Sequence, residues 1–132
     1  MEKTFVMVKP DGVERKLVGE IIGRIEKKGF NILDIKMINP TKEIVEEHYD
    51  EHKEKPFFEE LVNFILQGPV VGIIVEGENV IEVIRLMIGD KNPKFALPGT
   101  IRGDFANTTT MNLVHASDSV ESSDRELNIW FN

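Results

Sequence analysis

Val70-Val-Gly-Ile-Ile-Val75 is an almost unbroken apolar run, entered from Gly68-Pro69. Such a run lacks the polar alternation of a half-exposed strand and predicts a central strand covered on both faces. Upstream, Phe57, Leu61, Phe64 and Ile65 lie along one side of a helix with Pro56 in its first turn, and Thr41 is placed to cap a short helix through about Tyr49. Asn39-Pro40 ends a strand over residues 31–38, where Leu33, Ile35 and Met37 alternate with Asp34 and Lys36 and predict a half-buried surface. Before it, Val18, Ile21, Ile22 and Ile25 make an i, i+3, i+4, i+7 helical stripe closed by Lys27, Lys28 and Gly29. The chain begins with a short strand, Thr4 to Val8, ended by the turn signal Lys9-Pro10-Asp11-Gly12.

Downstream of Val75, Glu78 to Ile88 reads as a helix with Val80, Ile84 and Met87 inward and Gly89 as its cap. Residues 89–107 are rich in Gly, Pro, Asp and Asn and read as one long ordered loop, a length often tied to function. Met111 to Ala116 supplies a last strand, and Ser117-Asp118-Ser119 caps a final helix, with Asp118 the most economical N-cap. Two β-α-β units with a helical insertion predict an α+β fold. It is a ferredoxin-like split β-α-β sandwich, a four-stranded antiparallel sheet with surrounding helices, in one domain over residues 1–132.

The 132 residues suffice for one core, and 41% hydrophobic with 30% charged residues is the composition of an ordinary globular protein. The absence of cysteine removes disulfides and thiolate metal sites and fits a reducing compartment. No signal-peptide layout and no apolar run of membrane-spanning length is present, so a cytosolic location is expected. In that setting the Asn107-Thr-Thr109 sequon and the Arg102-Gly-Asp104 tripeptide carry no meaning as glycosylation or adhesion signals. A net charge of −7 argues against nucleic-acid binding but not against a small phosphorylated ligand, which needs only a few local cations.

Chemistry gathers near the C-terminus. Arg102, Asn112, His115, Ser117, Asp118 and Glu126 bring a cation, an amide, an imidazole, a hydroxyl and two carboxylates into one short span. A neutral imidazole can attack phosphorus if a second group holds its other nitrogen, and Glu126 is a candidate for that group. Taken singly the other signals are bland. Lys9 suits a solvated strand end, Arg85 a snorkelling side chain, and Phe57 and Leu61 the core side of a helix. His48 and His52 form an i, i+4 pair without the acid of a zincin motif and read as a solvated helix face, so no metal site is assigned to protein ligands.

The chain resembles the nucleoside diphosphate kinases from Thr4 to Phe131. The likeness rests on ordered pieces: Val8-Lys-Pro-Asp-Gly-Val13, Leu17-Val-Gly-Glu20, His48-Tyr49, Lys55-Pro-Phe-Phe58, Gly68-Pro69, Asn92-Pro93, Pro98-Gly-Thr-Ile-Arg-Gly-Asp-Phe105, Asn112-x-x-His-Ala-Ser-Asp-Ser119 and Trp130-Phe131. It implies a ping-pong exchange in which His115 takes the γ-phosphoryl group from a nucleoside triphosphate and passes it to a diphosphate at the same site. By the same resemblance Lys9, Arg85 and Arg102 contact phosphates, Asn112 the ribose 3′ oxygen, and Tyr49 neighbours the phosphates. Phe57 with Leu61 stacks on the base without selecting it, while Glu126 and Ser117 support the histidine. Mg²⁺ bridges phosphates rather than sitting in a protein cage. A homo-oligomer is implied, hexamer ahead of tetramer, with no membrane or nucleic-acid partner. Sequence does not decide which imidazole nitrogen attacks.

Three positions depart from the family pattern. Lys91 stands where a phosphate-binding threonine is usual, and it either binds phosphate by charge or points away toward Asp90. Thr109 replaces a more apolar residue beside the base. The sequence ends at Asn132, where many members continue with a tail that contributes to subunit contacts. Two other readings are an inactive ferredoxin-like interaction module and a protein-histidine phosphotransfer component. The first would be expected to lose His115, Asn112 or Arg102, and the second would not need Phe57, Lys9 and Asn112.

Overall fold

Phe5 and Met7 point to one side of strand β1 (Glu2–Val8), Val6 and Val8 point to the other, and all four are buried. Strand β3 (Val70–Gly77) pairs antiparallel with β1 from Glu2↔Gly77 to Val8↔Val71. These two apolar strands form the middle of a four-stranded sheet of order β2-β3-β1-β4, with β2 (Asn31–Ile38) and β4 (Val114–Ala116) at the edges and every pairing antiparallel. The computed structural model describes all of residues 1–132.

Each face of the sheet has its own core. On one face, Ile21 and Ile25 of α2 (Val18–Lys27) and Val80, Ile84 and Ile88 of α5 (Val80–Ile88) pack with Val6, Val8, Val71, Ile73 and Val75. On the other, Val45 of α3 (Lys42–His48), Val62 and Ile65 of α4 (Phe58–Ile65) and Trp130 of α7 (Val120–Phe131) pack with Phe5, Met7 and Val70. Trp130 stacks on Phe5 with ring centroids 5.7 Å apart. Burial on both sides is why Val70 to Val75 shows no polar alternation. No helix is long and apolar enough to cross a membrane.

Three of the caps expected from sequence form: the Thr41 hydroxyl accepts from Ile44 N–H, and Gly29 and Gly89 follow α2 and α5 at positive φ of 96° and 87°. Several boundaries differ from expectation. Lys9-Pro10-Asp11-Gly12 is not a simple turn. Pro10 opens a short helix, α1 (Pro10–Glu14), because a proline at the first helical position gives up a hydrogen bond that position never had. The long loop is interrupted by α6 (Ile101–Phe105), capped by the Thr100 hydroxyl accepting from Gly103 N–H at 2.9 Å. The final helix is capped by Ser119, whose hydroxyl accepts from Ser122 N–H at 3.0 Å, and not by Asp118. Strand β4 is shorter than expected because Leu113 adopts φ +76°, a conformation no strand residue holds. Strand β2 is more open than half-buried, with Leu33, Ile35 and Met37 all exposed.

Candidate active site

His115 occupies the middle of edge strand β4, between the buried Val114 and Ala116. Alternation along the strand turns its ring onto the Trp130 side of the sheet, 6.0 Å from Phe5, while keeping the side chain 22% exposed. Its Nε2 lies 2.8 Å from Oε1 of Glu126, a buried residue on α7. The Ser117 hydroxyl donates to the same oxygen at 2.6 Å. Burial pushes the Glu126 carboxyl upward, yet the bond from His115, the charges around it and the Ser117 bond together hold it below its usual value. It is therefore an ionised acceptor at neutral pH. An ionised carboxylate can only accept, so Nε2 must carry the ring proton and the lone pair of neutral His115 sits on Nδ1.

His48 is a neighbour the sequence reading placed wrongly. It is buried rather than solvated, and its ring meets that of His115 edge-on at 4.7 Å. Trp130 Nε1–H donates to His48 Nδ1 at 3.0 Å, which leaves the His48 proton on Nε2. Burial, with His115 adding to it, lowers the His48 pKa well below the ordinary value and keeps the ring neutral. His48, His115 and Glu126 present possible ligand atoms within 4.8 Å of one another. The Trp130 bond fixes the tautomer that cannot ligate through Nε2, and His115 and Glu126 already engage each other, so the trio is better built to orient a ring than to hold an ion. The usable signal was spacing: Val45, His48 and Tyr49 fall at i, i+3 and i+4 on one helix face.

The cations flank this strand. In an antiparallel pair, alternate residues direct their backbone groups away from the partner. The outward carbonyls of Val114 and Ala116 accept from Arg102 Nη2 at 2.7 Å and Arg85 Nη1 at 3.2 Å. Arg102 is buried and also donates to the carbonyls of Gly89 and Asn112. Burial and the nearby Arg85 charge lower its pKa to about 10. Neither arginine has a carboxylate partner. Lys9, at the end of β1, is buried with its ammonium donating to Asn112 Oδ1 at 2.8 Å. Burial, then Arg102, lowers its pKa to about 8. Three like charges flanking one strand, none of them closed into a salt bridge, form a place prepared for an anion.

Asn112 turns its amide to the Lys91 carbonyl, Nδ2 to oxygen 3.1 Å. The Lys91 side chain is exposed and makes no ion pair with Asp90. Tyr49 is buried beside His48, its phenol pushed up by burial and by Glu126 and therefore protonated. Phe57 immediately precedes α4 and is 43% exposed, Leu61 follows one turn later and is partly buried, and Lys55 Nζ lies 5.6 Å from the centre of the Phe57 ring. Thr109 is exposed.

The sequence profile of the family described as Nucleoside diphosphate kinase matches residues 2–132. A nucleoside diphosphate kinase of Exiguobacterium sibiricum is 63% identical over 131 residues, covering 99% of this chain and 95% of the relative. The chain belongs to the nucleoside diphosphate kinase family. The kinase superimposes on a nucleoside diphosphate kinase family protein from Babesia bovis with a TM-score of 0.97 at 48% identity, covering 100% of this chain and 89% of that one. It matches a halophilic nucleoside diphosphate kinase from Halobacterium salinarum, solved in complex with CDP, with a TM-score of 0.96 at 44% identity, covering 99% and 88%. The kinase is thus a phosphotransferase that acts on nucleotides by the two-step exchange general to the family.

Proposed function

We propose that residues 1–132 form one catalytic domain in which Nδ1 of His115 is the atom that carries the phosphoryl group. The supporting observation is the bond from His115 Nε2 to ionised Glu126, which leaves Nδ1 as the free nucleophile. In the first step the Nδ1 lone pair forms a bond to the γ-phosphorus of a nucleoside triphosphate. The bond from that phosphorus to the bridging oxygen breaks, and the diphosphate leaves with the electron pair. The ring keeps its Nε2 proton throughout, so no proton need move. In the second step a terminal oxygen of a different diphosphate attacks the phosphorus and returns Nδ1 to its resting state.

Lys9, Arg85 and Arg102, joined by Lys91 at the loop, would stabilise the charge spread over the transferring oxygens, and positioning does the rest. Asn112 and Lys9 would take the sugar hydroxyl, with Tyr49 and Ser117 close to the phosphates. Phe57, Leu61 and Thr109 would line the base, read through its flat face and so without selection. The donor set offers no oxygen cage: the possible ligands that converge here are two imidazoles, His48 and His115, and Glu126, whose Oε1 already accepts two bonds. Mg²⁺ therefore fits as a passenger on the phosphates, where it would neutralise charge between them. A cytoplasmic homo-oligomer, hexamer ahead of tetramer, completes the reading; the open apolar edge at Leu33, Ile35 and Met37 supports association of subunits alone.

The test is labelling with γ-labelled ATP and Mg²⁺. An acid-labile, alkali-stable phosphoenzyme should form, its regiochemistry should be Nδ1 by phosphorus NMR, and adding GDP should move the label to GTP. His115→Ala should remove labelling while the domain stays folded. Label on Nε2, or label that GDP cannot discharge, would refute the assignment.

A further inference from the structure

Leu113 lies between Asn112 and His115 and is held in a conformation its side chain resists. Its φ is +76°, in the left-handed region, although it is a bulky residue with a fully buried side chain. Such a residue persists only where its surroundings over-determine it, and here they are specific. The Leu113 N–H donates to Asp11 Oδ2 at 3.1 Å, and the Leu113 carbonyl accepts from Lys9 N–H at 2.9 Å. Both backbone polar groups of the kink are thus taken by the segment that begins α1. The approach is too close for a side chain at the next position: a Cβ on Gly12 would stand 2.8 Å from the Leu113 oxygen and 2.7 Å from Val8 Cγ1. On either side, Arg102 holds the carbonyls of Asn112 and Val114.

We propose that Asp11 is a positioning residue of this kinase: its carboxylate clamps the kink at Leu113 and so holds Asn112 where a nucleotide's sugar hydroxyl meets it. The geometry explains an otherwise costly group. Asp11 is buried, and its second oxygen, Oδ1, has no hydrogen-bond partner. Burial raises its pKa, with the Lys9 charge and backbone bonds opposing. A carboxylate so placed contributes little to the fold for its own sake, and its one hydrogen bond that reaches beyond its own turn is to the kink. Released, Leu113 would relax toward an extended conformation, and Asn112 would turn its amide away from Lys9. The inference rests on the reading of Asn112 as the sugar contact.

The experiment compares kcat/KM for a nucleoside diphosphate with that for its 3′-deoxy counterpart, in the wild type, Asp11→Ala and Asp11→Asn. The wild type should favour the hydroxylated substrate. Asp11→Ala should lose that preference together with about 10–100-fold of kcat/KM, the scale of a displacement near 1 Å. Asp11→Asn, which keeps an oxygen acceptor of the same shape, should recover most of both. Hydrogen exchange at the Leu113 amide should be slow in the wild type and Asp11→Asn and fast in Asp11→Ala. Should Asp11→Ala fail to fold, Asp11→Ser, whose hydroxyl is too short to reach the kink, reads the same ratio. A wild-type ratio of one overturns the sugar reading and this inference with it. A wild-type preference that survives in Asp11→Ala or Asp11→Ser overturns the inference alone.

Discussion

Lys9 carries its charge conditionally. The ammonium is the form that attracts phosphate, and burial beside Arg102 places its titration at about 8. The charged fraction falls as pH rises through that value, so kcat/KM for a nucleoside diphosphate should be level near neutrality and decline above about pH 8. A profile that stays flat to pH 10 would show that the Lys9 charge is not used. Glu126 behaves with the opposite sense. Its folded pKa lies below the ordinary value of 4.5, so its contribution to stability is present above that value and is lost as pH falls through the folded one. Melting temperatures measured from pH 6 downward should therefore drop more steeply for the wild type than for Glu126→Gln. Glu126→Ala, which frees the His115 tautomer, should slow phosphoenzyme formation about 10–100-fold in single-turnover measurements, as removal of an orienting partner typically does. Lys91 has no ion partner, and its carbonyl, not its ammonium, serves Asn112. Lys91→Thr should keep activity within about tenfold, ~1.4 kcal/mol of barrier, and a larger loss in steady-state assays would make the ammonium essential.

At the scale of elements, α6 positions Arg102 and is secured by one hydroxyl. Thr100→Ala removes the acceptor for Gly103 N–H and should cost about 1 kcal/mol in denaturant unfolding, the usual effect of losing such a cap. Because Arg102 sits in this helix, the same change should raise KM for nucleotides. A stability loss with KM unchanged would mean that the bonds from Arg102 to three carbonyls hold it without the helix. These elements also show what was readable beforehand. The sheet was legible because β1 and β3 are apolar on both faces and α2 carries a clean stripe. Helix α6 was hidden because five residues are too few for periodicity and lie in a segment dense with Gly and Pro. His115, Glu126, Ser117, Arg102, Asn112 and Lys9 could be singled out from their residue types and motif order, whereas His48 was misread as solvated. Asp11 escaped notice because Pro-Asp-Gly reads as a turn, and nothing local reveals a bond to a residue a hundred positions away.

For the whole molecule, the sheet leaves β2 as an edge with an apolar surface, Met37 being 61% exposed. An open edge of that character is normally covered. Met37→Glu with Ile35→Lys should shift the particle to a smaller assembly in light scattering at micromolar concentration. An unchanged mass would place the subunit contacts elsewhere, with the exposed Phe95 and Leu97 the next surface to alter.

The opposite border of the sheet is finished differently, because Arg85 and Arg102 occupy the carbonyls that another strand would seek on β4. The same guanidiniums that await an anion therefore also stop β-strand addition beside His115. Neutralising either one strips a guard from that border, and an apparently dead variant could owe its silence to clumping. Turnover figures for such variants carry meaning only alongside a sedimentation trace.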